Sequence, residues 1–120
     1  MTMAMDAARA AQEKKGQNLT VIDLREASSY TDMLVIATAY SDRQTQAIAD
    51  AIQDALRKEH ELRPLHREGQ GAWILLDYGD IVVHVFHEDA RAFYGLDALW
   101  SEAPRIPVPA PERYGTALTG

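Results

Sequence analysis

A chain of 120 residues, 47% hydrophobic and 25% charged, has the length and composition of one globular domain, large enough to build a core without staples. It contains no cysteine, which excludes disulfides and thiolate metal sites. Lys and Arg total 12 against 18 Asp and Glu, a formal net charge of −6. That balance is wrong for a protein whose task is to hold nucleic-acid phosphates, and it matches basic protein partners better.

The first 15 residues carry Asp6 and Glu13 and no continuous apolar stretch, so a leader peptide is not expected. No apolar run nears the roughly 18 residues that cross a bilayer. A bacterial cytoplasmic protein is the expectation. Residues 3–15 predict a helix with Ala4, Ala7, Ala8 and Ala11 on one face, and Gly16 placed to close it. Residues 19–24 predict a strand, 25–32 a polar loop, and 33–39 a strand apolar enough to be buried on both faces. Residues 40–61 switch to helical period, with Ser41 or Asp42 as cap and Ile48, Ile52, Ala55 and Leu56 as the apolar stripe. Pro64, Gly69 and Gly71 predict a loop over 63–71.

The next stretch, WILLDYGDIVVHVFHED over residues 73–89, predicts a hairpin. With Gly79-Asp80 as its two-residue loop, Trp73 pairs with Phe86 and Leu75 with His84; a Tyr78-Gly79 loop is the alternative. Both registers give the same faces, because side chains alternate along a strand. Ile74, Leu76, Tyr78, Ile81, Val83 and Val85 form a core face. Trp73, Leu75, Asp77, Val82, His84 and Phe86 form a face that mixes apolar bulk with polar groups, which is the make-up of a recognition surface. Residues 88–100 predict a short helix with Glu88 and Asp89 in its first turn, and with Phe93, Leu96 and Trp100 at core spacing. From Ser101 onward, four Pro predict an extended arm and a loose tail. The order α-β-β-α-β-β-α predicts an α/β fold: one mixed sheet flanked by helices. The domain proper is expected to span 1–102, with a Pro-rich tail over 103–120.

The hairpin does not read as an active site. His84 and His87 are three apart and point to opposite strand faces, so they do not chelate one ion; no metal or other cofactor is expected. His84 with Asp77 can in principle pair as base and orienter, but no nucleophile motif, Walker loop or dinucleotide fingerprint accompanies them. Ser41, Asp42 and Arg43 lie at a strand-to-helix junction where anions bind, and helix capping accounts for that pattern better.

Two segments carry a family resemblance: SSYTDMLVIATAYSDRQTQAIAD, and WILLDYGDIVVHVFHEDARAFYGLDALW. Together with their spacing they resemble the ribosomal silencing factor (Iojap-related) family over residues 3–102. The resemblance implies a nucleotidyltransferase-like α/β fold without catalytic activity. It also implies binding to the large ribosomal subunit through its protein uL14, a block on joining of the subunits, and lowered translation. Homodimers of the free protein, and a role in large-subunit assembly for organelle relatives, are further implications. Strong direct binding to nucleic acid is not among them.

Carried over by position, the resemblance implies contacts from Trp73, Leu75, Asp77, Tyr78, Asp80, His84, Phe86, His87, Arg91 and Tyr94. Alternation ranks Trp73, Asp77 and His84 above Tyr78. Ala39 stands where the family has Gly, which argues against a left-handed or closely approached backbone there, and Met33 stands where an aromatic is common. The rival expectations are an assembly factor using the same surface and a nucleotidyltransferase-like enzyme using Asp77, Asp80 and His84.

Overall fold

Ala4, Ala7, Ala8 and Ala11 recur at helical spacing. In the computed structural model, which describes residues 2–110, they form the fully buried face of α1 (Thr2–Glu13). Side chains this small let α1 lie close to α2 (Asp42–His60), whose Ile48, Ala49, Ile52 and Leu56 are buried in turn. Beneath both runs a six-stranded mixed sheet: β1 (Gln17–Asp23), β2 (Met33–Ala39), β3 (His66–Gln70), β4 (Trp73–Asp77), β5 (Ile81–His87) and β6 (Arg105–Ile106). Its order is β3-β4-β5-β2-β1-β6, with β2 and β5 parallel and every other neighbouring pair antiparallel. Two short helices, α3 (Glu88–Tyr94) and α4 (Leu96–Leu99), follow β5. Among the described residues no helix is long and apolar enough to cross a membrane.

The central strand β2 is buried at all seven positions, as a strand covered on both sides must be. Its Met33, Val35, Ala37 and Ala39 join Val21, Ile74, Leu76, Ile81, Val83 and Val85 under α1 and α2. Leu34 and Ile36 join Ile22, Leu24, Val82, Phe86 and Ala103 on the opposite face, beneath Ala90, Leu96 and Trp100. Helices therefore cover both faces, but not equally. The α1/α2 layer closes its face, whereas α3, α4 and residues 100–103 close the other over β5, β2 and β1. On that second face the edge strand β3 stays exposed at His66, Glu68 and Gln70, and β4 is only half-buried at Trp73, Leu75 and Asp77.

The hairpin has the first of the two registers: Trp73 pairs with Phe86 and Leu75 with His84. Gly79 takes φ 85 in its loop, and the Tyr78 N–H donates to the Ile81 carbonyl at 2.9 Å. Ser41 caps α2, its hydroxyl accepting from the Gln44 N–H at 3.0 Å, while the Gln44 side chain reaches back to the Tyr40 N–H at 2.8 Å. Ala39 lies within β2 without positive φ.

Three expectations are corrected, and the closing of α1 at Gly16 is refined. Residues 66–70 are a strand, not a loop: β3 pairs along its whole length with β4, and Arg67 ties it to Gln53 and Asp50 of α2 at 2.9 Å each. Its sequence HREGQ contains no apolar residue, so periodicity cannot find it; charge on an edge strand discourages pairing with other chains. The left-handed turn after α1 falls on Lys15 (φ 65), while Gly16 donates to the Ala11 carbonyl at 2.8 Å and leaves a Cβ only 3.3 Å from Ile48. The helix predicted over 88–100 breaks at Gly95 (φ 60) into α3 and α4. Residues 103–110, read as the start of the tail, join the fold: Arg105 and Ile106 pair with β1, and the Pro109 carbonyl accepts from Gln12 at 2.8 Å. The rest of the expected tail, 111–120, lies outside the described residues.

Candidate protein interface

The uncovered half of the second face is built from alternation. In β4 every second side chain faces it, placing Trp73, Leu75 and Asp77 in a row, with His66, Glu68 and Gln70 beside them on β3 and Val82, His84 and Phe86 on β5. Trp73 is the hub of this surface. Its ring lies 5.3 Å from Phe86, 5.8 Å from His84 and 4.4 Å from Tyr94 of α3, and Phe93 meets Tyr94 edge-on at 5.2 Å. Phe86 and His84 stack nearly parallel beneath. Offset and tilted aromatic pairs of this kind hold one another in place beyond what area alone supplies.

One hydrogen bond orients the hub. The Trp73 indole N–H donates to His84 Nδ1 at 3.0 Å. An indole only donates, so Nδ1 must be bare and the ring proton must sit on Nε2. Burial favours that neutral form and pulls the His84 pKa down to about 4. Asp77 is engaged elsewhere: its carboxylate accepts from the Gly79 N–H at 2.8 Å, and its carbonyl accepts from the Leu65 N–H at 2.7 Å. His84 and Asp77 therefore do not form a base-and-orienter pair; one positions a tryptophan and the other holds a turn. Asp80 is exposed at that turn, and its carbonyl takes the N–H groups of Asp32 and Met33.

The expected contact residues thus separate into groups. Trp73, Leu75 and Tyr94 share the open aromatic strip, with Asp77 and Asp80 at its turn end and His87 half-buried where β5 meets α3. His84, 7% exposed, and Phe86, fully buried, support the strip from below and offer a partner little or no surface. Tyr78 faces the α1/α2 layer, where its hydroxyl is buried with no hydrogen-bond partner among the described residues and burial pushes its pKa up to about 12. Arg91 reaches inward: its guanidinium bonds Asp97, Thr20, Thr38 and the Asn18 carbonyl. The pair holds the Asp97 carboxyl below its ordinary range.

Sequence reasoning missed three exposed apolar groups. Phe93, expected in the core, is 82% exposed, and Leu99 and Leu65 are each 67% exposed. The Gly95 break rotates Phe93 off the spacing it would keep in one continuous helix, and Leu65 precedes a strand that periodicity cannot detect.

A family model described as "Ribosomal silencing factor during starvation" matches residues 1–118. The chain belongs to the ribosomal silencing factor family. It is 39% identical to the ribosomal silencing factor of Bacillus subtilis over 100 residues, 82% of this chain and 84% of that one. It is 33% identical to the chloroplastic protein Iojap of Zea mays over 109 residues, 91% of this chain and 48% of that longer one. A crystal structure of a Chromobacterium violaceum protein superposes with TM-score 0.79 at 30% identity, covering 94% of this chain and 96% of that one. The mixed sheet flanked by helices is thus the silencing-factor fold.

Proposed function

We propose that this chain is a translational repressor that works by occupancy. It docks through the Trp73–Tyr94 strip onto protein uL14 of the large ribosomal subunit, and the docked chain stands where the small subunit would join. No catalytic turnover enters the scheme: each occupied large subunit is withdrawn from joining. The observation that carries the reading is the half-covered second face in a member of this family, where Tyr94 and Phe93 stand exposed beside half-buried Trp73 and Leu75. Aromatic anchors braced from beneath are the residues that dominate protein interfaces. The net charge of −6 suits a basic ribosomal protein embedded in RNA. Free in solution, the same strip would be covered by a second copy of the chain.

Co-sedimentation with purified large subunits tests this. The wild type should travel with large subunits and reduce the joined ribosomes formed when small subunits are added. Trp73→Ala should lose at least about 2 kcal/mol of binding, roughly thirtyfold in affinity. A wild type that stays at the top of the gradient, or one that binds without reducing joining, would sink the proposal.

A further inference from the structure

The helix that carries Phe93 and Tyr94 has little of its own to hold it. α3 is seven residues long and has no fully buried side chain, and helices this short are not stable on propensity alone. Besides Ala90 on the core and Tyr94 on Trp73, what ties it down is Arg91, in the middle of the helix and on the side away from solvent. Its Nε and one terminal nitrogen grip both Asp97 oxygens, at 3.0 and 2.9 Å. The two terminal nitrogens also reach Thr20 Oγ1 at 2.7 Å, Thr38 Oγ1 at 2.8 Å and the Asn18 carbonyl. One planar fork therefore ties α3 to β1, β2 and α4 at once, a geometry a lysine does not reproduce.

The receiving strand is shaped to match. The β1–β2 register slips by one residue between Gln17 and Thr20, and within this bulge Asn18 adopts φ 48. In a regular ladder the carbonyls of β1 pair with a neighbouring strand; at a bulge one is left out of the ladder, and the Asn18 carbonyl accepts instead from Arg91 and from the Thr20 hydroxyl at 3.1 Å. A strained residue in a strand and an arginine on a helix 73 residues away thus meet in one bond.

We propose that Arg91 is the positioning residue of the docking surface. Its clamp on the β1 bulge sets the pose of α3 and so presents Tyr94 against Trp73 in the geometry the partner meets. The inference rests on the docking function proposed above, and it places Arg91 behind the interface, not in it.

The test is a double-variant cycle read by large-subunit affinity, alongside hydrogen exchange of residues 88–94 in the free protein. Arg91→Gln should speed exchange across α3 and weaken binding about tenfold. Thr20→Val, which keeps shape and removes the hydroxyl that accepts from Arg91 and donates to the Asn18 carbonyl, should give a smaller change of the same kind and guards against a misfolded Arg91 variant. In a Tyr94→Ala background, Arg91→Gln should lower affinity less than about twofold, because its effect passes through Tyr94. Arg91→Lys should restore the net charge without restoring affinity. Unchanged exchange in α3, full binding by Arg91→Gln, or the same loss with and without Tyr94 would each overturn the role. Failure of the wild type to bind would remove the docking function itself, and this outcome is read separately from the exchange data.

Discussion

His84 illustrates how one residue serves the site without touching a partner. It is neutral in the fold because burial depresses its pKa from 6.5 to about 4. The unfolded chain therefore takes up a proton first as pH falls, so the stabilisation is complete above pH 6.5 and is lost as pH drops through about 4. The full swing is about 3 kcal/mol. Urea unfolding of the wild type and His84→Gln at pH 7.5 and pH 4.5 measures it. The wild type should lose more stability over that interval than the glutamine variant, whose amide oxygen can still accept the indole N–H without titrating. Equal losses would show that His84 does not titrate in this window. Alternation alone placed Trp73, His84 and Phe86 on one side of the hairpin and Tyr78 on the other. It could not say which of them a helix would cover, since that depends on residues more than a strand away.

At the scale of elements, the edge strand β3 is the part that local signals miss and backbone geometry imposes. Gly69 adopts φ 88 directly against β4, where a Cβ would stand 2.1 Å from the Trp73 carbonyl oxygen. Gly95 also has positive φ, but a Cβ there meets nothing within 4 Å. Gly69→Ala should therefore cost about 2 kcal/mol or more, combining strain with a clash. Gly95→Ala should cost only about 1 kcal/mol of backbone strain. Denaturant midpoints at unchanged slope give both numbers, and equal costs would mean that β3 is not held as described. The segments with strong periodicity, β2 and α2, begin and end within two residues of where the sequence places them. HREGQ has neither a period nor an apolar residue, and it is held by pairing with β4 on one side and by its own Arg67 reaching Gln53 of α2 on the other.

For the whole molecule, the charge of −6 predicts how it finds its partner. If the partner is a basic protein, raising salt from about 50 to 300 mM should slow association by roughly tenfold while leaving dissociation nearly unchanged. If the chain instead met rRNA directly, salt would screen repulsion and association would quicken. Stopped-flow fluorescence of Trp73 against large subunits distinguishes the two signs.

Composition, alternation and helical period by themselves determined that this chain has an α/β fold and that its hairpin has a core face and a mixed face. Those properties follow from local rules, the 3.6 and 2.0 periods and the chemistry of turns, and so can be read along the chain. Only the tertiary structure decided which half of the second face stays open, that His84 and Phe86 lie under the strip, and that Arg91 points inward to a bulge in β1. Each of those outcomes depends on contacts between residues far apart in sequence. Which group a buried side chain meets is set by packing, and packing has no period to read.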